Sequence, residues 1–359
     1  MPQSRTNFTV VHALRGIACL WVLLFHAAEG RHIDSLVPYA PFLFRDGHLG
    51  VAIFFALSGF VIAHSLSGRG GGDSPIATSG DLGRFLLRRS LRLDPAYWTS
   101  MLITIGFAGF AAMIRHEPHL VPTSGQIAAH LLYLQDLLGV AEINPVYWTL
   151  ACEFQFYLFF ALMLLVRARW TQAGWPMAAA INLAAFALAI AAAFCLFGKD
   201  WSGVFVQFWH VFYLGVLARR ALDSEVAKLG FLALAIILLG TPGFDRTAAL
   251  TAIFLFLAVR SGWAQTGLNW RWLQFLGTIS YSLYLIHNPL TGAAGFIGHR
   301  LFGSGPAADL ICLALILAAS IVGAALLWWM VERPSHWLSR RIRLGTATPA
   351  TSALVPVSA

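Results

Sequence analysis

Arg15 and His26 stand eleven residues apart in FTVVHALRGIACLWVLLFHAA, a run that otherwise reads as a membrane-spanning helix. At roughly 100° per residue that separation is about 1100°, within about 20° of three turns. Both side chains therefore leave one face, roughly 16 Å apart along the axis. An arginine inside a span costs at least ~2.5 kcal/mol to insert, so it normally faces the bundle interior and has a partner or ligand. Glu153 lies in NPVYWTLACEFQFYLFFALMLLV and, of sixteen acidic residues, is the only one read as well inside a span. His287, in ISYSLYLIHNPL, falls in the outer half of a later span. An imidazole exchanges protons near neutral pH, and a carboxylate at the same depth can orient it or stabilise the imidazolium. The bland alternative is that each group merely bonds across helices. The default for intramembrane ionisable residues is function, and that favours chemistry at His26 and Glu153, while His287 stands evenly between chemistry and a structural bond. His12, His64 and His210, at span ends or among aromatics, read as structural.

A second constellation is the basic run GRFLLRRSLRLDPAYW. Arg84, Arg88 and Arg92 repeat every four residues and stack on one helical face, with Arg89 beside them. Guanidinium forms bidentate bonds to phosphate oxygens, so the cluster suits a polyphosphate. It suits lipid headgroups equally well.

The elements that must position these groups follow from composition. The chain has 359 residues, 58% hydrophobic and 11% charged, against roughly 25% charged in a soluble domain. This reads as an all-α, polytopic integral membrane bundle. About ten spans are expected, near 8–28, 48–66, 95–114, 145–166, 176–197, 201–218, 226–242, 246–260, 273–292 and 307–331. With the N-terminus inside, the cytoplasmic segments hold 17 Lys and Arg and the outer segments 6. That asymmetry places both termini in the cytoplasm. It also explains the net charge of +8 by position rather than by a nucleic-acid partner.

Segment 126–140, apolar at Ile127, Leu131, Leu134 and Leu138, makes one helical stripe too short to span. It is expected to lie on the interface or re-enter. GRGGGDSP at 68–75 resembles a flexible linker, and 344–359 a disordered tail after a membrane domain at 1–343. Cys19, Cys152, Cys195 and Cys312 match no metal or disulfide spacing and read as buried thiols. No metal site and no permanently bound cofactor is expected.

At these residues the chain resembles the acyltransferase-3 family of integral membrane O-acyltransferases. LRGIACLWVLLFH carries the family's Arg, ten residues, His signature at Arg15 and His26. FFALSGFVI (54–62), RRSLR (88–92), YWTLACEFQFYL (147–158) and SYSLYLIHNPL (280–290) resemble its further motifs, in order. Ala151 and Phe154 depart from it, standing where many members have Ser and a second Glu.

The resemblance implies transfer of an acyl group, usually acetyl, from cytoplasmic acyl-CoA to a hydroxyl, usually of a carbohydrate, at the outer side of a bacterial inner membrane. Arg88, Arg89 and Arg92 would hold the CoA phosphates, and the pantetheine arm would rise past Arg15. His26 would act as general base or acyl carrier, and Glu153 would orient it. His287 joins the expected substrate-binding residues. Trp148 and Tyr147 could stack on a sugar, or belong to an ordinary aromatic belt. Two other classes remain at this point: a proton-coupled transporter, disfavoured by the lack of an internal repeat, and a lipid-linked glycan flippase.

Overall fold

The computed structural model describes residues 8–66, 76–117, 120–173, 177–196 and 203–342. The 68–75 linker and the 344–359 tail lie outside the described residues. Among those described the chain is helical, with no strand. Thirteen α-helices follow in order: α1 (Thr9–Glu29), the short α2 (Pro41–Arg45), α3 (Gly50–Ser65), α4 (Ser79–Arg115), α5 (Ser124–Leu131), α6 (Tyr147–Gln172), α7 (Ala178–Ala193), α8 (Trp209–Arg220), α9 (Glu225–Gly240), α10 (Phe244–Arg260), α11 (Arg271–Phe302), α12 (Pro306–Leu327) and α13 (Arg333–Ser339). Among the described residues five helical stretches, including α1, α4 and α6, are long and apolar enough to cross a membrane. Large side chains such as Leu102, Ile236 and Leu310 stand exposed on the outside of the bundle, as a lipid-facing surface requires.

Lipid offers no hydrophobic drive for helices to associate, so close backbone approach has to hold the centre together. α1 lies against α11, and α3 against α8. A Cβ at Gly277 on α11 would fall 2.2 Å from the carbonyl oxygen of His12, and one at Gly59 on α3 would fall 1.8 Å from that of Phe212. Neither gap admits any side chain.

Three elements differ from the expected spans. The third span was expected to begin at 95, with the helical arginine run lying before it and outside the span. Instead α4 begins at Ser79, where Thr78 and Asp81 form a reciprocal capping box. It then runs unbroken through Pro95, carrying Arg84, Arg88, Arg89 and Arg92 as part of a 37-residue helix. The 126–140 stripe is helical only to Leu131, because Tyr133 enters the left-handed region at φ 57°. Its ring stacks on Tyr97 and Phe154, with centroids 4.8 and 4.9 Å away. Leu131, Leu134 and Leu138 keep their outward exposure. Near 201–218 the helix is only the 12-residue α8, preceded by a 3-10 turn at Phe205–Phe208.

After α12 the chain makes a π turn at Trp328–Glu332 before α13. Such turns often mark functional positions. Cys19, Cys152 and Cys312 are buried as expected, whereas Cys195 is exposed.

Candidate functional site

α11 is the spine of the site. Every residue from Ser280 to His287 is buried, and successive polar groups are taken up by different neighbours. Arg15 Nε on α1 donates to Ser280 Oγ at 3.3 Å, and Cys19 Sγ donates to the Ser280 carbonyl. Tyr281 Oη donates to the Leu93 carbonyl on α4 at 3.1 Å. Ser282 Oγ donates to Glu332 at 2.6 Å. Tyr284 Oη and Thr149 Oγ1 on α6 lie 2.8 Å apart, and Asn144 donates to the Leu285 carbonyl. At the far end of this ladder the His287 ring meets that of His26, centroids 5.2 Å apart. The single face of α1 that carries Arg15 and His26 is thus the face against α11.

The imidazole end of the ladder has a defined protonation pattern. His26 Nδ1 is 2.8 Å from Glu29 Oε2, one turn further along α1. An ionised carboxylate can only accept, so the His26 proton sits on Nδ1 and Nε2 presents a lone pair. A carboxylate therefore does orient this histidine, but it is Glu29.

Glu153 sits elsewhere. Its Oε1 accepts from Ser58 Oγ on α3 and from Tyr157 Oη, and Arg89 Nη2 on α4 lies 3.5 Å away. The Arg89 guanidinium also rests on the Tyr157 ring, 3.7 Å from its centroid. Motifs from three helices, FFALSGF, RRSLR and YWTLACEFQFYL, thus converge on one ion pair. The expected pairing of Glu153 with His26 is replaced by this one, because the unbroken α4 brings Arg89 to the depth of Glu153.

Arg92, one turn beyond Arg88, interacts electrostatically with Arg15, Arg89 and Glu332. Arg84 is paired with Asp81 at 2.7 Å near the start of α4. A cavity of about 10 Å³, lined by Arg89, Asp94, Tyr133, Glu153, Tyr157 and Tyr281, opens beside the ion pair. It has room for about one water molecule.

Two carboxylates escaped the sequence reading. Glu332 was placed just past the last span, and the π turn is what turns it inward. Glu29 is three residues from His26, a spacing that puts neighbours on one helix face, and that spacing was a usable signal. Trp148 packs edge-on to Phe55 and tilted against Phe208. Tyr147 is fully buried, with its hydroxyl 2.9 Å from Ser100 Oγ. His64 accepts from Arg219 and His210 is 2.9 Å from Asp245. Among the described residues no cluster of three or more His, Cys, Asp or Glu is arranged to hold a metal ion.

Between α5 and α6, Asp136 and Glu142 share a hydrogen bond. Burial first, then the Glu142 charge and that bond, push the Asp136 carboxyl up to about 7, far above the usual ~3.9. A raised folded pKa means the folded state binds the extra proton. Stability is therefore full below about pH 4 and declines as pH rises through about 7. Asp136→Asn removes that decline, worth about 1–2 kcal/mol once discounted for partial exposure. Thermal unfolding in detergent at pH 5 and pH 8 should show a smaller loss for Asp136→Asn than for the native chain. Equal losses in the two proteins would refute the assignment.

The His26–Glu29 pair at one end of α1 and the partly buried Arg15, Arg89 and Arg92 thus line the same helical bundle. The acyltransferase domain family Acyl_transf_3 matches residues 9–331, and the chain belongs to that family. It is therefore an enzyme that transfers acyl groups, and a multi-pass membrane protein, which sets the transporter and flippase readings aside. Among curated relatives, acyltransferase MdmB of Streptomyces mycarofaciens is 29% identical, with 98% of each chain covered. The exopolysaccharide production protein ExoZ of Rhizobium meliloti is 28% identical over 90% of this chain and 98% of its own. The peptidoglycan O-acetyltransferase OatA of Listeria monocytogenes is 26% identical over 47% of this chain and 26% of its own. No solved structure matches the chain.

Proposed function

We propose that the protein moves an acetyl group from cytoplasmic acetyl-CoA to a hydroxyl of a carbohydrate or glycosylated acceptor at the outer face of a bacterial inner membrane. The observation that carries this reading is the protonation pattern of His26: Glu29 fixes its proton on Nδ1, so Nε2 is free to take the proton of an attacking hydroxyl. The basic-residue asymmetry supports ten spans with both termini cytoplasmic, which makes the Arg84 end of α4 the donor side.

Arg88, Arg89 and Arg92 are on that side, and their guanidinium groups suit the CoA phosphates. Arg89 already holds Glu153, so its share in donor binding comes through the ion pair rather than as a free charge. The pantetheine arm then rises along α11 past Arg15, and the thioester carbonyl reaches His26. The hydroxyl oxygen attacks that carbonyl, His26 takes the proton, the carbon–sulfur bond breaks, and the thiolate leaves to be protonated. Trp148 is available to flank the acceptor. ExoZ and OatA, by their names, act in exopolysaccharide production and peptidoglycan O-acetylation, and they favour a carbohydrate acceptor here.

Purified protein given radiolabelled acetyl-CoA and a cell-envelope carbohydrate fraction of the host should move label into the carbohydrate. Label that stays in CoA with every fraction would sink the proposal.

A further inference from the structure

The second imidazole has no assigned role in the chemistry above, yet its ring is fixed on one side by two main-chain carbonyls. His287 is wholly buried. Its Nδ1 lies 2.8 Å from the Tyr284 carbonyl and 3.2 Å from the Leu283 carbonyl, both pure acceptors. The proton must therefore be on Nδ1, leaving Nε2 as a bare lone pair. That Nε2 is buried and has no hydrogen-bond partner among the described residues. The ring beside it is His26, whose own Nδ1 is committed to Glu29 and whose Nε2 is likewise a lone pair.

Neighbouring imidazoles that both keep a lone pair on Nε2 cannot satisfy each other. Each needs a hydrogen from a third group. Leaving a buried acceptor without one is costly, so the arrangement favours a ligand that supplies that hydrogen. The tautomers are locked by main-chain carbonyls on one ring and a carboxylate on the other, so neither can flip to donate. Apart from His26, the titratable group facing His287 is Tyr284, whose hydroxyl is engaged with Thr149. Among the described residues no carboxylate bonds His287.

We infer that His287 is a second catalytic base: its Nε2 binds the reacting hydroxyl alongside His26 and shares the proton as that hydroxyl attacks. The inference rests on the acyl-transfer reading above. In balance, the hydroxyl oxygen forms the new bond to the acyl carbon and the carbon–sulfur bond breaks with its electron pair going to sulfur. The hydroxyl proton is held between the two Nε2 atoms, and it is released afterwards to the thiolate. Sharing the proton removes the need for a counter-charge at His287, because the single positive charge is spread toward His26 and Glu29.

Two variants separate this from a packing role. His287→Asn keeps a donor for the Tyr284 carbonyl but removes the Nε2 base. His287→Gln keeps an acceptor at the ε position that cannot take a proton. Transfer from acetyl-CoA is read as CoA release and ester formation with ethanol and with trifluoroethanol, which is of similar size but far more acidic. Binding of CoA to the intact detergent-solubilised protein serves as the control for fold and for the donor site.

Both variants should bind CoA as the native chain does, lose about a hundredfold in transfer to ethanol, and lose much less with trifluoroethanol, whose proton needs less help. Equal losses with both alcohols would mean that His287 only holds the ring of His26 in place, and no loss in either would mean that it does nothing. A native protein that binds no CoA and acylates neither alcohol overturns the acyl-transfer reading itself, a result distinct from a native enzyme whose two variants fail to discriminate.

Discussion

Replacing His26 with alanine is expected to abolish acyl transfer, by at least about 10²-fold and up to about 10⁴-fold, while the protein inserts and accumulates at its normal level. The reason for separating the two outcomes is local. His26 is half-buried, bonds only an exposed glutamate, and touches Phe25 and His287 through ring edges. Its removal breaks no helix–helix ladder, since the α1–α11 contact is carried by Arg15, Cys19 and the Gly277 approach. The loss should therefore fall on turnover rather than on folding. Mass spectrometry of cell-surface glycans from the host, comparing the intact gene with a His26→Ala allele, reads it directly. Acetyl-mass increments should vanish from one glycan. Increments that persist at full level in cells carrying the variant would remove His26 from the mechanism.

The parts of this site that a sequence can carry are those fixed by periodicity within one helix. Arg15 and His26 share a face because eleven residues close on three turns, and that face meets α11. The parts that escaped depend on how far one helix slides past another. Glu153 was placed at the depth of His26 by counting from the nearer end of its span, which is sound for α6 alone. The depth of Arg89 could not be counted in the same way, because the expected third span starts at 95 and leaves the arginine run outside it. The Thr78–Asp81 capping box was visible in the sequence, as a threonine followed three residues later by a carboxylate, and it would have moved the helix start back to Ser79. Once α4 is continuous, Arg89 and Arg92 enter the bundle and Glu153 has its partner. Glu332 depends on a π turn, for which WWMVERP offers no pattern, and so it stayed outside the expected span. The position of Tyr133 was equally hidden: its left-handed backbone is held by tertiary stacking on Tyr97 and Phe154, which overrides a good helical stripe.

The largest effect on stability should come from Glu153, and a second substitution should reverse it. Glu153→Ala removes the acceptor for Ser58 and Tyr157 and leaves the Arg89 guanidinium inside the bundle without its carboxylate. Breaking one partner of a fully buried pair costs about 3–5 kcal/mol and of this partly buried one less, whereas replacing both partners by apolar groups is often close to neutral. Glu153→Ala alone should therefore sharply reduce the folded protein recovered in detergent. The double variant Glu153→Ala/Arg89→Met should recover most of it, since methionine can still lie against the Tyr157 ring. Activity should not return with stability, because the double variant lacks a cation that the donor side uses. Size-exclusion elution and thermal unfolding measure the first quantity, and CoA binding measures the second. Recovery of neither in the double variant would show that Glu153 is needed for its bonds to Ser58 and Tyr157 rather than for its charge. Recovery of both would take Arg89 out of donor binding and leave Arg88 and Arg92 to hold the phosphates. Recovery of stability without CoA binding is the expected result, and it would show that one ion pair both closes the α3–α4–α6 junction and shapes the inner end of the donor path.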